Sequence, residues 1–221
     1  MGDFLRRQVP AAEYGFVEPL SSLEKYLESI YGSAANFRAA EVYHGVQVVT
    51  LMDVLEHQPK DHEFLREIAG RMEIGAVLVV TVPALQSLWS QWDVDLGHFR
   101  RYDKASFRRC LEGLPFEIRE LSYLMPEMVP LGWLRKLLRG SAPTAEGNAQ
   151  PAEFPDLPRS VNDLIYGLGC VSLRLRRAFP LGSSLLAVLV RREARSTRTV
   201  SASPGKRNCP FARKVSINQA V

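Results

Sequence analysis

The sequence predicts a doubly wound α/β domain with a mostly parallel sheet, and three observations carry that prediction. Residues 46–52 and 76–82 are short apolar runs rich in valine and without clean alternation. Strands of a parallel sheet read this way when both faces are covered. Between them Phe64, Leu65, Ile68, Ala69 and Met72 recur at helical spacing. The order then continues strand, helix, strand, which is the pattern of parallel strands joined by crossover helices.

The elements follow in chain order. Residues 4–8 read as the end of a helix. Residues 14–17 form a short apolar run that closes on Glu18-Pro19, a buried strand with an acid at its tip. Ser21 and Ser22 can cap a helix through Glu28, and residues 29–31 read as a short strand ending at Gly32. Residues 34–45 show no period. Pro59 opens the helix that Gly75 ends. Asp103 can cap a helix through Leu111, terminated at Gly113, and Phe116 and Ile118 begin a strand. Residues 139–160, rich in Pro, Ala, Gly and Ser, read as a loop. Residues 161–179 form an amphipathic helix with Arg174, Arg176 and Arg177 near its end, where the helix dipole favours them. Residues 185–190 are a last strand.

The chain has 221 residues and a formal charge of +4. Eight of its 28 basic residues but one of its 24 acidic ones lie between Arg191 and Val221. The body is therefore slightly acidic and gives no electrostatic reason to expect a nucleic-acid partner. The basic tail, residues 193–221, has little to bury and is expected to be disordered. Cys110, Cys170 and Cys209 stand far apart, with no metal-ligand or redox spacing, which fits a reducing compartment. The N-terminus has no secretory h-region, and no run reaches the length of a membrane span. The expected location is cytoplasmic. Residues 123–180, two apolar helical stretches, could lie on a membrane surface or simply cover the sheet or a cleft.

Several segments, in order, resemble one branch of the class I S-adenosylmethionine-dependent methyltransferases. Gly15-Phe16-Val17-Glu18-Pro19 resembles the end of that family's second strand. Leu51-Met52-Asp53-Val54-Leu55-Glu56-His57 resembles the D-x-L-E-H segment that ends its fourth. Residues 73–84 resemble the turn and fifth strand, with Ile74 and Ala76 where proline and a glycine are usual. Residues 95–102 resemble the G-H-x-R-R-Y loop, and residues 181–186 the closing strand. The resemblance spans roughly residues 2–192, within a methyltransferase-like domain of residues 1–192 that has a helical insertion at about 123–180.

The resemblance implies a Rossmann-like sheet, S-adenosylmethionine as cofactor, and a small-molecule, lipid-linked or sugar-like methyl acceptor. It also implies an absence. Gly2-Asp3-Phe4 resembles only the last residues of the family's glycine-rich loop, so the first strand is expected to be missing. That strand would lie mid-sheet, between the second and fourth. Its loss would leave unpaired backbone and an apolar gap. A second reading follows: a non-catalytic remnant, or an interaction module that keeps the fold without the cofactor. A dinucleotide-binding dehydrogenase half is a third, and it too needs a glycine loop.

By resemblance the cofactor-binding positions are Gly2, Asp3, Glu18, Pro19, Ser33, Ala34, Met52 and Asp53. Glu18 could accept both ribose hydroxyls, or be an ordinary strand-end acid. Ser33 and Ala34 would pass the adenine, or form a plain turn. Asp53 could hold the methionyl part of the cofactor or act as a helix N-cap. Asp53, His57 and His98 are the candidate catalytic groups, since an imidazole titrates near neutrality. Methyl transfer needs chiefly in-line positioning, so a base is optional. His98, Arg100, Arg101 and Tyr102 could bind an anionic substrate group. Alternatively the arginines pair with Asp93, Asp95 and Asp103 and only shape the loop. No metal site is expected: His57, Asp61 and His62 share no spacing with good ligand geometry.

Overall fold

A computed structural model describes residues 13–18, 21–37, 42–139, 158–193 and 214–218. Its centre is a six-stranded sheet of β1 (Glu13–Phe16), β2 (Val46–Met52), β3 (Val77–Pro83), β4 (Phe116–Leu124), β5 (Ser184–Arg191) and β6 (Lys214–Asn218). The spatial order is β1-β6-β2-β3-β5-β4. The pairs β1–β6, β6–β2 and β2–β3 are parallel, and β5 runs antiparallel between β3 and β4. The mixed, mostly parallel α/β sheet is thus as expected.

The middle of the sheet is not empty. The position between β1 and β2, where the resemblance leaves a gap, is filled by β6 from the basic tail. Val215 lies opposite Tyr14 on one side and Val48 on the other, and Ile217 lies opposite Phe16 and Thr50. Lys214–Asn218 reads Lys-Val-Ser-Ile-Asn, with β-branched residues at alternate positions, a pattern a pleated strand accepts. The expected disorder of the tail and the expected central gap are both corrected at these five residues. A row of unpaired backbone groups on β1 and β2 is satisfied by a segment distant in sequence. Residues 194–213 lie outside the described residues.

Among the described residues the α-helices are α1 (Ser21–Tyr31), α2 (Asp61–Arg71), α3 (Gln91–Asp95), α4 (Lys104–Cys110), α5 (Met128–Arg139) and α6 (Arg159–Arg174). α1 continues through residues 29–31, which the sequence had suggested as a strand. Asn36 explains this: its side-chain amide donates to Glu24 at 2.8 Å and to Glu28 at 3.0 Å, one helical turn apart. The chain then leaves at Gly32, φ 85°, and the third strand is reduced to one bridge between Phe16 and Asn36. Asp103 caps α4 as expected: its carboxylate accepts from the Ser106 N–H at 2.6 Å, and Ser106 Oγ accepts from the Asp103 N–H at 2.9 Å.

One face of the sheet holds the core. Leu78, Val80 and Val82 of β3 and Leu185, Ala187 and Leu189 of β5 pack with Leu65, Ile68 and Met72 around α2 and with Phe107, Cys110 and Leu111 around α4. Full burial of one such leucine contributes about 1.5–3 kcal/mol. The intervening residues Val77, Val79, Thr81 and Pro83 are half-buried. β3 is therefore covered on one face and partly open on the other, unlike the two-sided burial its valine run suggested. α5 and α6 sit between β4 and β5 in the chain. Gly182, entering β5, is fixed by close approach: a Cβ there would stand 2.1 Å from the Leu124 carbonyl oxygen.

Candidate functional site

The carboxyl ends of β2 and β3 lie side by side, and each is followed by a non-glycine residue in the left-handed region: Asp53 at φ 51° and Leu85 at φ 62°. Such conformations cost of order 1–3 kcal/mol each and persist where surrounding contacts impose them. At Asp53 the contacts are visible. Its N–H donates to the Thr81 carbonyl at 3.0 Å, and its carboxylate accepts from Thr81 Oγ1 at 3.3 Å. The 3-10 turn Leu55–His57 has no side-chain cap, so Asp53 is not the N-cap that one reading of the sequence gave it. Asp53 is open to solvent on one side. The protein packed round its other side raises its pKa, opposed by Thr81, His98 and His57.

The segment 97–102 is stitched onto these strand ends. The Phe99 N–H donates to the Glu56 carbonyl at 2.8 Å, the Tyr102 N–H to Pro83 at 2.9 Å, and the Leu85 N–H to Tyr102 at 2.9 Å. Gly97, φ 73°, makes the bend that starts the segment. The result brings His98 beside His57, ring centroids 4.7 Å apart in an edge-to-face arrangement.

Two acids hold the segment from beneath. Asp93, fully buried, accepts from His98 Nδ1 at 3.1 Å, Arg101 Nε at 2.7 Å and the Ser90 N–H at 2.9 Å. Burial alone would raise its pKa; the bonds from His98 and Arg101 outweigh that and hold it below the usual carboxylate value. Asp61 accepts from Arg100 at 2.6 Å and from the Tyr102 hydroxyl at 2.9 Å, and the same balance lowers its pKa. Arg100 also donates to the Pro59 carbonyl at 2.7 Å. Arg101 thus pairs with one of the acids the sequence offered, whereas Arg100 takes Asp61 instead. Asp103 is occupied in capping.

Glu56 differs. Its side chain is fully buried, and among the described residues neither carboxylate oxygen has a hydrogen-bond partner. Burial first, then the nearby Asp53 charge, push its pKa up to about 8. His57, half-buried, is held below its ordinary pKa by burial and by His98.

No protein-family model matches the chain, and no curated protein matches it. Solved structures do. One is the complex between the Haloferax volcanii Trm112 methyltransferase activator and a protein assigned as a methyltransferase. That match has a TM-score of 0.51 and 13% identity, and covers 87% of this chain and 79% of the other. The fold is of the methyltransferase type. Weaker matches in shape are a SAM dependent methyltransferase from Archaeoglobus fulgidus (TM-score 0.40, 14% identity, 86% and 92% covered) and a Galdieria sulphuraria protein assigned as a sarcosine dimethylglycine methyltransferase (0.48, 10%, 87% and 74%).

Within this methyltransferase-type fold the remaining candidate residues can be placed. Glu18 follows β1 and is buried, 1% exposed, rather than solvated at a strand end. Ser33 and Ala34 are exposed in the 3-10 turn after α1. Met52 ends β2, its sulfur 3.4 Å from Thr81 Oγ1. Gly2, Asp3 and Pro19 lie outside the described residues. Glu18 and Met52-Asp53 therefore follow or end strands two places apart, with β6 between them. His57 and His98 come together with Asp53 close by, while Arg100, Arg101 and Tyr102 turn their polar groups to acids. The sequence reading undervalued Glu56 and Asp93. Glu56 was visible only as a neighbour of His57, and nothing local marks Asp93 as the partner of both His98 and Arg101.

Proposed function

We propose that this chain is an S-adenosylmethionine-dependent methyltransferase domain acting on a small-molecule, lipid-linked or sugar-like acceptor. The observation that carries the reading is the placement of Glu18 and Asp53 at the same carboxyl edge of a methyltransferase-type sheet. Ligands of open α/β sheets bind at that edge. Adjacent strands lie about 4.8 Å apart, so two strand tips separated by one strand suit the two ends of an extended cofactor.

The residues fit the cofactor in part. A carboxylate at Glu18 suits a ribose diol, and Asp53 suits the ammonium of a methionyl group; Ser33 and Ala34 offer backbone groups to the adenine. When bound, the cofactor supplies an electrophilic methyl group on sulfonium sulfur. The chain's own residues orient the acceptor and handle its proton. His57, whose charged form is disfavoured, presents a neutral ring with a lone pair, and His98 presents an imidazole fixed in one orientation by Asp93. Arg100 and Arg101, tied to Asp61 and Asp93, shape the acceptor side of the site.

A second reading, the non-catalytic module, has its own support. The central strand Lys214–Asn218 is followed in sequence by Gln219-Ala220-Val221, none of which is glycine, and glycine is what close approach of backbone to a cofactor requires. Calorimetric titration with S-adenosylmethionine separates the two. The enzyme reading expects saturable binding that falls at least about ten-fold in Glu18→Ala, the loss of one or two charge-assisted hydrogen bonds. No binding at millimolar cofactor would sink it for this chain.

The acceptor side also bears on location. Among the described residues no helix is long and apolar enough to cross a membrane. Leu131, Leu134 and Leu137 of α5 and Leu164, Tyr166 and Leu168 of α6 are nonetheless exposed. Such a surface supports peripheral contact with a lipid surface through residues 123–180, with the body of the protein cytoplasmic.

A further inference from the structure

We propose that Glu56, His57 and His98 bind one divalent ion of the zinc–manganese class. One ligand atom from each of the three lies within 4.8 Å of the others. Around a zinc ion with bonds of about 2.0–2.1 Å, tetrahedral ligand atoms stand roughly 3.3 Å apart. The trio therefore closes by at most about 1.5 Å on loading, within reach of small side-chain rotations.

The case rests on more than proximity. Glu56 is a fully buried carboxylate whose two oxygens have no donor. An uncompensated buried acid costs several kcal/mol, so such groups are normally paired, protonated or bound to a metal. Among the described residues Arg101 is bonded to Asp93 and Arg100 to Asp61, and the charge of Arg101 offsets that of Glu56 only in part.

The two imidazoles are prepared as ligands. Asp93 engages His98 at Nδ1, which leaves Nε2 to bind. A buried carboxylate on the far nitrogen is the usual support of a metal-bound histidine, because it fixes the tautomer and raises the basicity of the ligating nitrogen. His57 has the Gly97 backbone as a hydrogen-bond partner, and burial with the neighbouring His98 disfavours its charged form. Both rings can then offer lone pairs to one cation, which relieves the conflict of placing them 4.7 Å apart.

The donor set chooses the metal. Two imidazoles and one carboxylate suit zinc, manganese, iron or cobalt, whereas magnesium and calcium favour all-oxygen sites. Three protein ligands leave a position open. Asp53, exposed and interacting electrostatically with Glu56 and His57, lies close to the site without being one of its three ligands. A site with an open position is of the reactive rather than the purely structural kind.

The test is calorimetric titration of the untagged, chelator-treated full chain with zinc chloride, and with magnesium chloride for comparison. The expected result is one zinc per chain with Kd about 10 μM or tighter, and magnesium at least ten-fold weaker. Cobalt(II) should give visible absorption bands of a mixed nitrogen–oxygen site. Glu56→Gln and His57→Ala should each weaken zinc binding at least ten-fold. His57 is half-exposed, so its variant keeps the test valid if a change at buried Glu56 prevents folding. His62→Ala, whose ring is bonded to the Cys110 carbonyl, should leave binding unchanged. Absence of zinc binding up to about 1 mM, or binding that survives both Glu56→Gln and His57→Ala, overturns the proposal. Zinc binding without S-adenosylmethionine binding would leave this inference standing while the enzyme reading fails.

Discussion

Asp93 and Glu56 are both fully buried at the same end of the sheet, yet they titrate in opposite directions. Asp93 lies in a pocket lined with donors: an imidazole, a guanidinium and a backbone N–H converge on it, and its pKa falls. Neither carboxylate oxygen of Glu56 has a hydrogen-bond partner among the described side chains, burial outweighs the backbone and Arg101, and its pKa rises to about 8. Burial is common to both, so burial is not what assigns their roles. The donors do. Asp93 is a completed structural joint that holds the 97–102 segment in place, whereas Glu56 is an incomplete one, and incompleteness inside a protein is where a ligand or a proton is expected.

Removing the completed joint should have the larger effect. Asp93→Asn takes away the charge that balances Arg101 and His98 and turns one oxygen into a donor facing the Ser90 N–H. Breaking a buried pair by removing one partner costs about 3–5 kcal/mol. Urea unfolding should show that loss with little change in slope. A cost below about 1 kcal/mol would mean that Asp93 is no more than a surface pair and would erase the contrast with Glu56.

The contrast also marks what the sequence could reveal. Local features were legible: the valine runs of β2 and β3, the α2 spacing, and the Asp103 cap on α4 each depend on residues a few positions apart. The sites that depend on distant pairing were not. Nothing near Lys214–Asn218 says that it pairs with Glu13–Phe16 and Val46–Met52, because the pattern of a five-residue strand does not encode its neighbours. His98 reaches His57 only because the Phe99 and Tyr102 backbones are bonded to Glu56 and Pro83. Even residues 29–31 were misassigned for this reason: the tie from Asn36 to Glu24 and Glu28 outweighs a short β-prone run. Asp53 and Glu18 were legible as strand-tip acids, but the left-handed backbone of the one and the burial of the other were not.

Completing the other joint should stabilise the chain. In the chelated protein the folded-state pKa of Glu56, about 8, lies above its unfolded value near 4.5. The folded state therefore holds the extra proton between those values, and stability falls as pH rises from about 4.5 to about 8. Glu56→Gln removes the ionisation. Its stability should equal that of the parent near pH 4.5 and exceed it by about 2–4 kcal/mol at pH 9. Zinc, on the proposal above, should cancel the parent's decline without affecting the variant. Parallel stability–pH curves for the two proteins would show that Glu56 is solvated after all.

A third acid, away from this edge, calibrates the other two. Glu120 on β4 accepts from Arg176 Nε at 2.5 Å and from Arg177 at 2.9 Å, and these bonds hold its pKa down at about 2. It resembles Asp93 in having donors, but its partner Arg177 is 77% exposed, so water and salt weaken the pairing. Its folded pKa lies below the unfolded value, so its contribution is complete above about pH 4.5 and is lost as pH falls towards 2. Glu120→Gln should cost about 1 kcal/mol at pH 7 after allowance for screening, and almost nothing at pH 2. The cost at pH 7 should shrink further in 1 M salt, where the Debye length is about 3 Å, while the cost of Asp93→Asn should hardly move. Equal salt sensitivity of the two variants would show that water reaches Asp93 as freely as it reaches Glu120, and the distinction between a sealed and an open acid would be lost.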